Sequence, residues 1–246
     1  MMVRSTHLSL LVTKSDLDMA QKAAELIEEQ CNEALATRSL FNLAISGGKT
    51  PLSLFRLLSS PEWEKRIYWE RTALYWVDER CELPDSPKSH YGIARRELLS
   101  RVPLTRFYRI KGEAHPEEAA EAYERLLRDH FCLGRGEAPR FDCIVLGLGN
   151  DGHTASIFPG QSAVEEKSRL VVDQYIHSMK SSRVTMTFPV FNNARCCIFM
   201  ASGKEKHPVL STALNLMAEP TLPAQMVRPI EGKLCWIIDE AAYKGA

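Results

Sequence analysis

The sequence predicts an α/β fold with an open, mostly parallel Rossmann-like sheet flanked by helices. Strand-like and helix-like segments alternate along all 246 residues, which is typical of a parallel sheet with helices on its faces. The apolar runs at 43–45 and 143–146 are continuous, as expected for strands buried on both faces. No repeat, low-complexity tract or linker interrupts the chain, so residues 1–246 are expected to form a single domain.

Local signals place the individual elements. Ser15 can cap a helix whose apolar positions recur at helical spacing as far as Leu35. Pro51 suits the first turn of a helix at 52–58, because its missing N–H has no intrahelical partner there. Pro116 begins another helix, with acidic residues early and arginines late. The remaining predicted elements are strands at 73–77, 170–172, 184–188, 196–201 and 234–238 and helices at 91–99 and 209–217.

Composition excludes several classes of function. Lysine plus arginine and aspartate plus glutamate both total 31, and this zero net charge gives no sign of binding to nucleic acid or an anionic membrane. The seven cysteines form no Cys-x-x-Cys pair and the histidines no His-x-x-x-His pair, so no zinc motif is present. No apolar run approaches the ~20 residues of a membrane span. The sequence therefore predicts a cytoplasmic protein with reduced thiols.

The segment 46–50 lies between a predicted strand and a helix N-terminus. Free backbone N–H groups and the positive end of the helix dipole favour an anion at such a place. Its residues are Ser46, Gly47, Gly48, Lys49 and Thr50, whose hydroxyls and ammonium group could add donors to a phosphate. The spacing of a Walker A loop is absent. The alternative is a tight strand-to-helix turn in which glycine supplies a positive φ.

The segment 147–152 also has two interpretations. Its Gly-x-Gly-x-x-Gly spacing satisfies the dinucleotide-binding fingerprint, and Asp173 follows at the distance of a ribose-binding acid. The crossover helix after such a loop is long, whereas Pro159 and Gly160 limit this one to about a turn and a half. A nucleotide site is therefore the weaker interpretation.

The stronger interpretation is a loop that activates water. Asp151 and His153 stand two residues apart, just beyond a buried strand, where α/β folds place their ligands. One imidazole beside one carboxylate is the smallest set of groups with which a protein activates water by general base catalysis near neutral pH. Glycines such as Gly149 let backbone N–H groups approach a ligand closely. Asp151 and His153 are therefore the candidate catalytic residues.

Charged residues at other strand ends could complete an anion site. Asp78 and Arg80 follow one predicted strand, Arg183 precedes another, and Lys204 and Lys206 follow a third. Taken alone, each charge is more typical of a solvated surface than of a binding site. Cations at several strand ends, beside an anion-receptive loop, favour a joint phosphate site.

The chain resembles a known family, the 6-phosphogluconolactonases of the pentose phosphate pathway, within the glucosamine-6-phosphate deaminase/isomerase-like superfamily. The resemblance covers nearly the whole chain in order. It rests on the segments SGGKTP (46–51), WVDER (76–80), SHY (89–91), GNDGHTASIFPG (149–160), RVTMT (183–187) and LPAQ (222–225). The chain departs from the family pattern at His90, Asn150 and His207, and it has Met179-Lys180 where the family often has proline-lysine.

The resemblance implies hydrolysis of 6-phospho-D-glucono-1,5-lactone to 6-phospho-D-gluconate, the second step of the oxidative pentose phosphate pathway. His153 would act as general base toward water and then protonate the departing ring oxygen, with Asp151 orienting its imidazole. The loop 46–50, Arg183 and Lys206 would hold the phosphate, so that binding energy orients the lactone.

Three further site residues are implied, namely Asp78 and Arg80 in substrate binding and Gly149 in the loop whose N–H groups stabilise the oxyanion. The chemistry needs neither a metal nor an organic cofactor. The expected partner is a small-molecule sugar-phosphate lactone, with no nucleic acid and no membrane. The protein would be a monomer or a small homo-oligomer.

Three alternative functions stay open. A deaminase or isomerase of amino-sugar phosphates would share the fold, but the related deaminases continue into Asn-Glu-Pro where this chain has Ile157-Phe158-Pro159. A non-catalytic sugar-phosphate sensor would need neither His153 nor Asp151. A nucleotide-dependent oxidoreductase would need the long helix that the Pro-Gly pair interrupts.

Overall fold

The computed structural model describes residues 7–48, 50–215 and 218–245. Its strands are β1 (His7–Thr13), β2 (Phe41–Ile45), β3 (Thr72–Trp76), β4 (Asp78–Arg80), β5 (Arg106–Tyr108), β6 (Cys143–Gly147), β7 (Val171–Ile176), β8 (Ser181–Met186), β9 (Cys196–Ala201) and β10 (Lys233–Asp239). Its α-helices are α1 (Asp16–Thr37), α2 (Pro51–Leu58), α3 (His90–Ala94), α4 (Pro116–His130), α5 (Phe188–Asn192), α6 (His207–Ala213), α7 (Pro223–Met226) and α8 (Glu240–Lys244).

The main sheet is parallel throughout, with the strand order β1-β10-β9-β6-β2-β3-β5. After β1, which forms the edge beside β10, the chain builds the sheet outward from β2, with β3 and β5 on one side and β6, β9 and β10 on the other. The order therefore reverses between β2 and β6, and open α/β sheets bind ligands in the crevice at such a point. The predicted open, mostly parallel Rossmann-like sheet flanked by helices is confirmed. The expectation of a single domain stays a prediction.

The core forms where continuous apolar segments meet the apolar face of α1. Every residue of β3 and of β9 is buried, as the uninterrupted apolar runs predict. Helix α1 packs against α2, β9 and β10, and its fully buried face includes Met19, Ile27 and Cys31. Burying one large aliphatic side chain stabilises the fold by about 1.5–3 kcal/mol. The predicted cap is confirmed, since Ser15 Oγ accepts a hydrogen bond of 3.1 Å from the backbone N–H of Asp18.

A second, antiparallel sheet corrects two expectations. The Asp78–Arg80 segment is not the end of the preceding strand but a strand of its own, β4, and Arg183 lies inside β8 instead of preceding it. These strands form the sheet β4-β8-β7. The backbone N–H of Met186 donates to the Val77 carbonyl at 2.7 Å and joins the two sheets. Apolar patterning identifies strands but not their partners, which is why the sequence did not separate the sheets.

The dinucleotide interpretation is wrong. Residues 154–161 form turns and one isolated bridge, Thr154 with Ile157, so even the predicted short helix is absent after the glycine loop. Asp173 lies in the second sheet, where it pairs with Val184. A pyrophosphate therefore has no helix N-terminus to rest on after β6.

Three further differences concern the periphery. Both edge strands of the main sheet, β1 and β5, were not predicted. Leu8, Leu10, Leu11 and Val12 of β1 are 36–46% exposed, so this edge strand lacks the clear alternation of a half-buried one. The helix predicted at 209–217 ends at Ala213, and residues 216–217 lie outside the described ranges.

Across the described ranges, no helix combines the length and the apolar character needed to cross a membrane.

Candidate active site

A cavity of about 520 Å³ opens at the carboxyl ends of β2 and β6. It is lined by the loop after β2, the β4–α3 segment and the loop after β6, together with single residues from the β7–β8 connection, from β8 and from the turn before α6. Lys49 lies outside the described residues. Of the other candidate residues, all but Lys204 line this cavity, namely Ser46, Gly47, Gly48, Thr50, Asp78, Arg80, Gly149, Asp151, His153, Arg183 and Lys206.

His153 and Asp151 form a hydrogen-bonded pair at the mouth of the cavity. The His153 Nδ1 and Asp151 Oδ1 atoms are 2.5 Å apart, and the same oxygen accepts from the His153 backbone N–H at 3.1 Å. Burial opposes the charge of Asp151, but hydrogen bonding and attraction to His153 outweigh it and lower the pKa of the carboxyl. The carboxylate thus holds Nδ1 and leaves Nε2 for a ligand or a water. The ring also stacks on Phe158, with centroids 4.0 Å apart.

The glycine loop shapes the backbone that carries this pair. The Gly149 N–H donates to the His153 carbonyl at 2.8 Å, and the Gly152 N–H donates to Gly149 at 3.1 Å. The N–H of Gly149 is therefore occupied within the loop and is not free for a substrate. The N–H groups of Leu148 and Asn150 donate to none of the described residues, and both residues line the cavity.

Gly149 also provides the space for the histidine ring. A Cβ atom at this position would lie 2.0 Å from His153 Nδ1, so a side chain here displaces the imidazole from Asp151. We expect Gly149→Ala to lower kcat by about 100-fold, because a displacement of about 1 Å costs that much in positioned catalysis. Steady-state kinetics on Gly149→Ala measures this, with Gly134→Ala, remote from the cavity, as control. Unchanged kcat in Gly149→Ala would mean that the ring position is unimportant.

The loop after β2 is open toward the cavity. Ser46 Oγ is buried and has no hydrogen-bond partner among the described residues. Gly48 has φ of 98°, a conformation that favours glycine. Thr50 precedes α2 but makes no side-chain capping bond, so the first-turn N–H groups of α2 are not capped by its side chain. This arrangement suits an anion at the helix N-terminus.

Arg80 and Arg183 form a cross-strand pair of like charges. They are direct partners in the register of β4 and β8, where like charges destabilise a sheet. The Nε atom of each is buried without a partner in the described part of the chain. Burial, followed by repulsion from Arg80, lowers the pKa of Arg183. Two cations held this way are suited to bind an anionic ligand.

The two candidate lysines differ in position. Lys206 lines the cavity, and burial lowers the pKa of its ammonium group despite attraction to Glu205 and Asp151. Lys204 is exposed and is not part of the cavity wall. The structure therefore separates two residues that the sequence could not distinguish.

A second polar network lies deeper in the cavity. Ser156 Oγ donates to Asp78 Oδ2 at 2.7 Å, and His90 Nδ1 is 3.3 Å from Asp78 Oδ1. The Glu79 carboxylate, 2% exposed as a residue, accepts from the backbone N–H groups of Arg80, His90 and Tyr91 at 2.7–2.8 Å. Within the residues that the structure describes, no group of three His, Cys, Asp or Glu side chains is arranged to hold a metal ion.

Comparison with known proteins identifies the family. The family model described as glucosamine-6-phosphate isomerases/6-phosphogluconolactonase matches residues 14–236. The chain belongs to this family. Human 6-phosphogluconolactonase is 38% identical over 242 residues, which cover 95% of this chain and 92% of the relative. The 6-phosphogluconolactonase of Synechocystis is 33% identical over 240 residues, 96% of each chain.

Solved structures agree with the sequence relatives. The 6-phosphogluconolactonase from Trypanosoma cruzi superposes with a TM-score of 0.86 at 27% identity, covering 99% of this chain and 97% of that one. A monomeric glucosamine-6-phosphate deaminase superposes with a TM-score of 0.79 at 20% identity, covering 97% and 100%. At that identity the second likeness concerns the fold alone.

Several residues that line this cavity were not among the site residues predicted from the sequence. Ser156, Phe158 and Met179 line it, as does His90, which stood out only as a departure from the family pattern. The available signal for His90 was its residue type, an imidazole shortly after the acidic Asp78. Its contact with the loop after β2 is a tertiary feature, which no local spacing encodes.

Proposed function

We propose that this protein hydrolyses the ring ester of 6-phospho-D-glucono-1,5-lactone, with His153 as general base and Asp151 as the residue that orients it. The proposal rests chiefly on one observation. The His153–Asp151 pair stands at the mouth of a cavity that also contains Arg80, Arg183 and Lys206. The same cavity therefore offers a base for water and cations for a phosphate.

The enzyme class follows from the relatives. The human and Synechocystis proteins are 6-phosphogluconolactonases, and each aligns with at least 95% of this chain. The chain is accordingly an enzyme of that class, a carboxylic ester hydrolase of sugar metabolism. The roles of individual residues are our own proposal, argued from the contacts described above.

The proposed reaction begins with water at His153 Nε2. Asp151 accepts from Nδ1–H, so Nε2 carries the lone pair that takes a proton as the water oxygen attacks the lactone carbonyl. A tetrahedral oxyanion forms and is stabilised by the free N–H groups of Leu148 and Asn150. On collapse, the bond from the carbonyl carbon to the ring oxygen breaks, and the imidazolium returns its proton to that oxygen. The carboxylic acid product then ionises in solution.

The phosphate end of the substrate is proposed to lie against Arg183, Lys206 and the loop 46–50, with Arg80 adding positive charge beside Arg183. Charge-assisted hydrogen bonds of this kind are roughly twice as strong as neutral ones. The phosphate does not react, so this binding energy serves to place the carbonyl carbon against the water at His153.

The test is a direct assay on the purified protein. Proton release is followed after addition of freshly prepared 6-phosphogluconolactone, and the expected result is a rate well above spontaneous hydrolysis. Glucosamine 6-phosphate serves as the control for deaminase or isomerase activity, and an alcohol substrate with NAD(P) for oxidoreductase activity. No acceleration of lactone hydrolysis at micromolar enzyme, with binding of the product retained, would favour the sugar-phosphate sensor instead.

A further inference from the structure

The cavity contains a second histidine–aspartate pair, and this one is buried. The side chains of His90 and Asp78 are only 6% and 4% exposed, against 24% and 50% for His153 and Asp151. We propose that the His90–Asp78 pair positions the 46–48 segment, so that His90 is a positioning residue for the anionic end of the ligand. This deepens the proposed function and rests on it for the identity of that ligand.

Direct packing against Gly47 is the first observation. A Cβ atom on Gly47 would lie 2.1 Å from His90 Cγ and 2.3 Å from Cδ2, so the imidazole edge rests on the Gly47 backbone. Only glycine fits between this ring and the cavity. The position of the ring therefore determines how closely the loop after β2 approaches a bound anion.

The ring itself is held from two sides. Its Nδ1 lies 3.2 Å from the Asp78 carbonyl oxygen and 3.3 Å from Asp78 Oδ1, which fixes the ring orientation. The backbone N–H of His90 donates to Glu79 at 2.7 Å, and Ser89 Oγ donates to the same carboxylate at 3.1 Å. Asp78 in turn accepts from Ser156 at 2.7 Å. The pair thus connects the β4–α3 segment with the loop after β2 and the loop after β6.

The charges favour a cationic ring. Burial alone would lower the pKa of His90, but attraction and hydrogen bonding to Asp78, with attraction to Glu79, raise it despite repulsion from Arg80. Burial likewise opposes the charge of Asp78, yet His90, Ser156 and Arg183 lower the pKa of that carboxyl. Nδ1–H is directed at Asp78, whereas Nε2 donates to none of the described residues. The contact with Asp78 therefore favours the protonated form of a ring that packs directly against Gly47 in the loop after β2.

Two substitutions separate the features on which the proposal depends. His90→Asn keeps a donor near Asp78 but removes the ring from Gly47, whereas His90→Phe keeps the ring and removes the donor. We expect each to raise the Kd for 6-phosphogluconate and for inorganic phosphate by about tenfold, measured by isothermal titration calorimetry. We expect kcat with the lactone to change by less than about threefold, because His90 moves no proton in the reaction. His115→Asn, exposed at the start of α4, is the matched control.

Each outcome bears on the proposal. Wild-type anion affinity in a folded His90→Asn variant would overturn it. So would a tenfold fall of kcat with an unchanged Kd in the two variants. If both variants fail to fold, NMR of the wild-type imidazoles replaces them: saturating phosphate should shift the His90 signals and leave His115 unchanged, and unmoved His90 signals contradict the proposal. Weakened anion binding in variants of a protein without lactonase activity would support the positioning role while rejecting the proposed function.

Discussion

Replacing His153 by glutamine is expected to lower kcat for lactone hydrolysis by about 1,000-fold, within the range that general base catalysis contributes. Glutamine is similar in length, and its amide can still donate to Asp151, but it cannot take a proton from water. KM and the melting temperature should stay near the wild-type values, because the 2.5 Å contact lies at a partly exposed cavity mouth and not in the core. Initial rates of proton release at neutral pH, corrected for spontaneous hydrolysis, measure the effect.

His115→Gln is the matched control for this experiment, since it makes the same exchange at an exposed residue outside the cavity. It should be indistinguishable from wild type in kcat and KM. A His153→Gln variant with more than about a tenth of wild-type kcat would remove His153 from the role of base. A variant with unchanged kcat but a raised KM would instead make His153 a binding residue.

The loop after β6 was readable from sequence because its information is local. An apolar strand, closely spaced glycines and an Asp-x-His pair occupy consecutive positions, so their proximity follows from chain connectivity. The structure places Asp151 and His153 in hydrogen-bond contact. The catalytic role of the pair stays a prediction, but finding the two residues together required no knowledge of the tertiary fold.

The main sheet was predictable for a related reason. Strands buried on both faces, such as β3 and β9, carry continuous apolar runs. Such runs distinguish these strands from other short elements of the chain. Edge strands lack this constraint, since β5 has two exposed residues out of three. A short exposed strand depends on hydrogen bonding to a neighbour, and that neighbour is specified elsewhere in the chain.

His90 shows the opposite limit. Its environment combines Gly47, Asp78 and Ser156, which come from three separate segments of the chain. The strand order that brings these segments together reverses between β2 and β6. Local sequence patterns do not specify that order. Side chains whose roles depend on such convergence can be identified only after the topology is known.

Replacing Arg183 has the second large expected effect. The replacement should weaken substrate binding without lowering the stability of the fold. We expect Arg183→Gln to raise KM by about 30- to 100-fold with little change in kcat, since a charge-assisted contact to phosphate is worth about 2–3 kcal/mol. We also expect its melting temperature not to fall. Its guanidinium group is buried opposite Arg80 and forms no salt bridge with a carboxylate in the described ranges, its Nε has no hydrogen-bond partner there, and its Nη2 donates to Met179 Sδ at 3.4 Å.

Arg38→Gln is the contrasting variant. Arg38 Nη2 lies 2.8 Å from Asp142, a carboxylate that is 3% exposed and lies outside the cavity. Removing that guanidinium group should lower the melting temperature by about 2–4 °C and leave KM unchanged. Differential scanning calorimetry and steady-state kinetics on the two variants therefore give opposite patterns. A lower melting temperature with unchanged KM in Arg183→Gln would mean that the paired arginines of β4 and β8 stabilise the fold. A charge that serves a ligand contributes only when that ligand binds, so its loss should not destabilise the free protein.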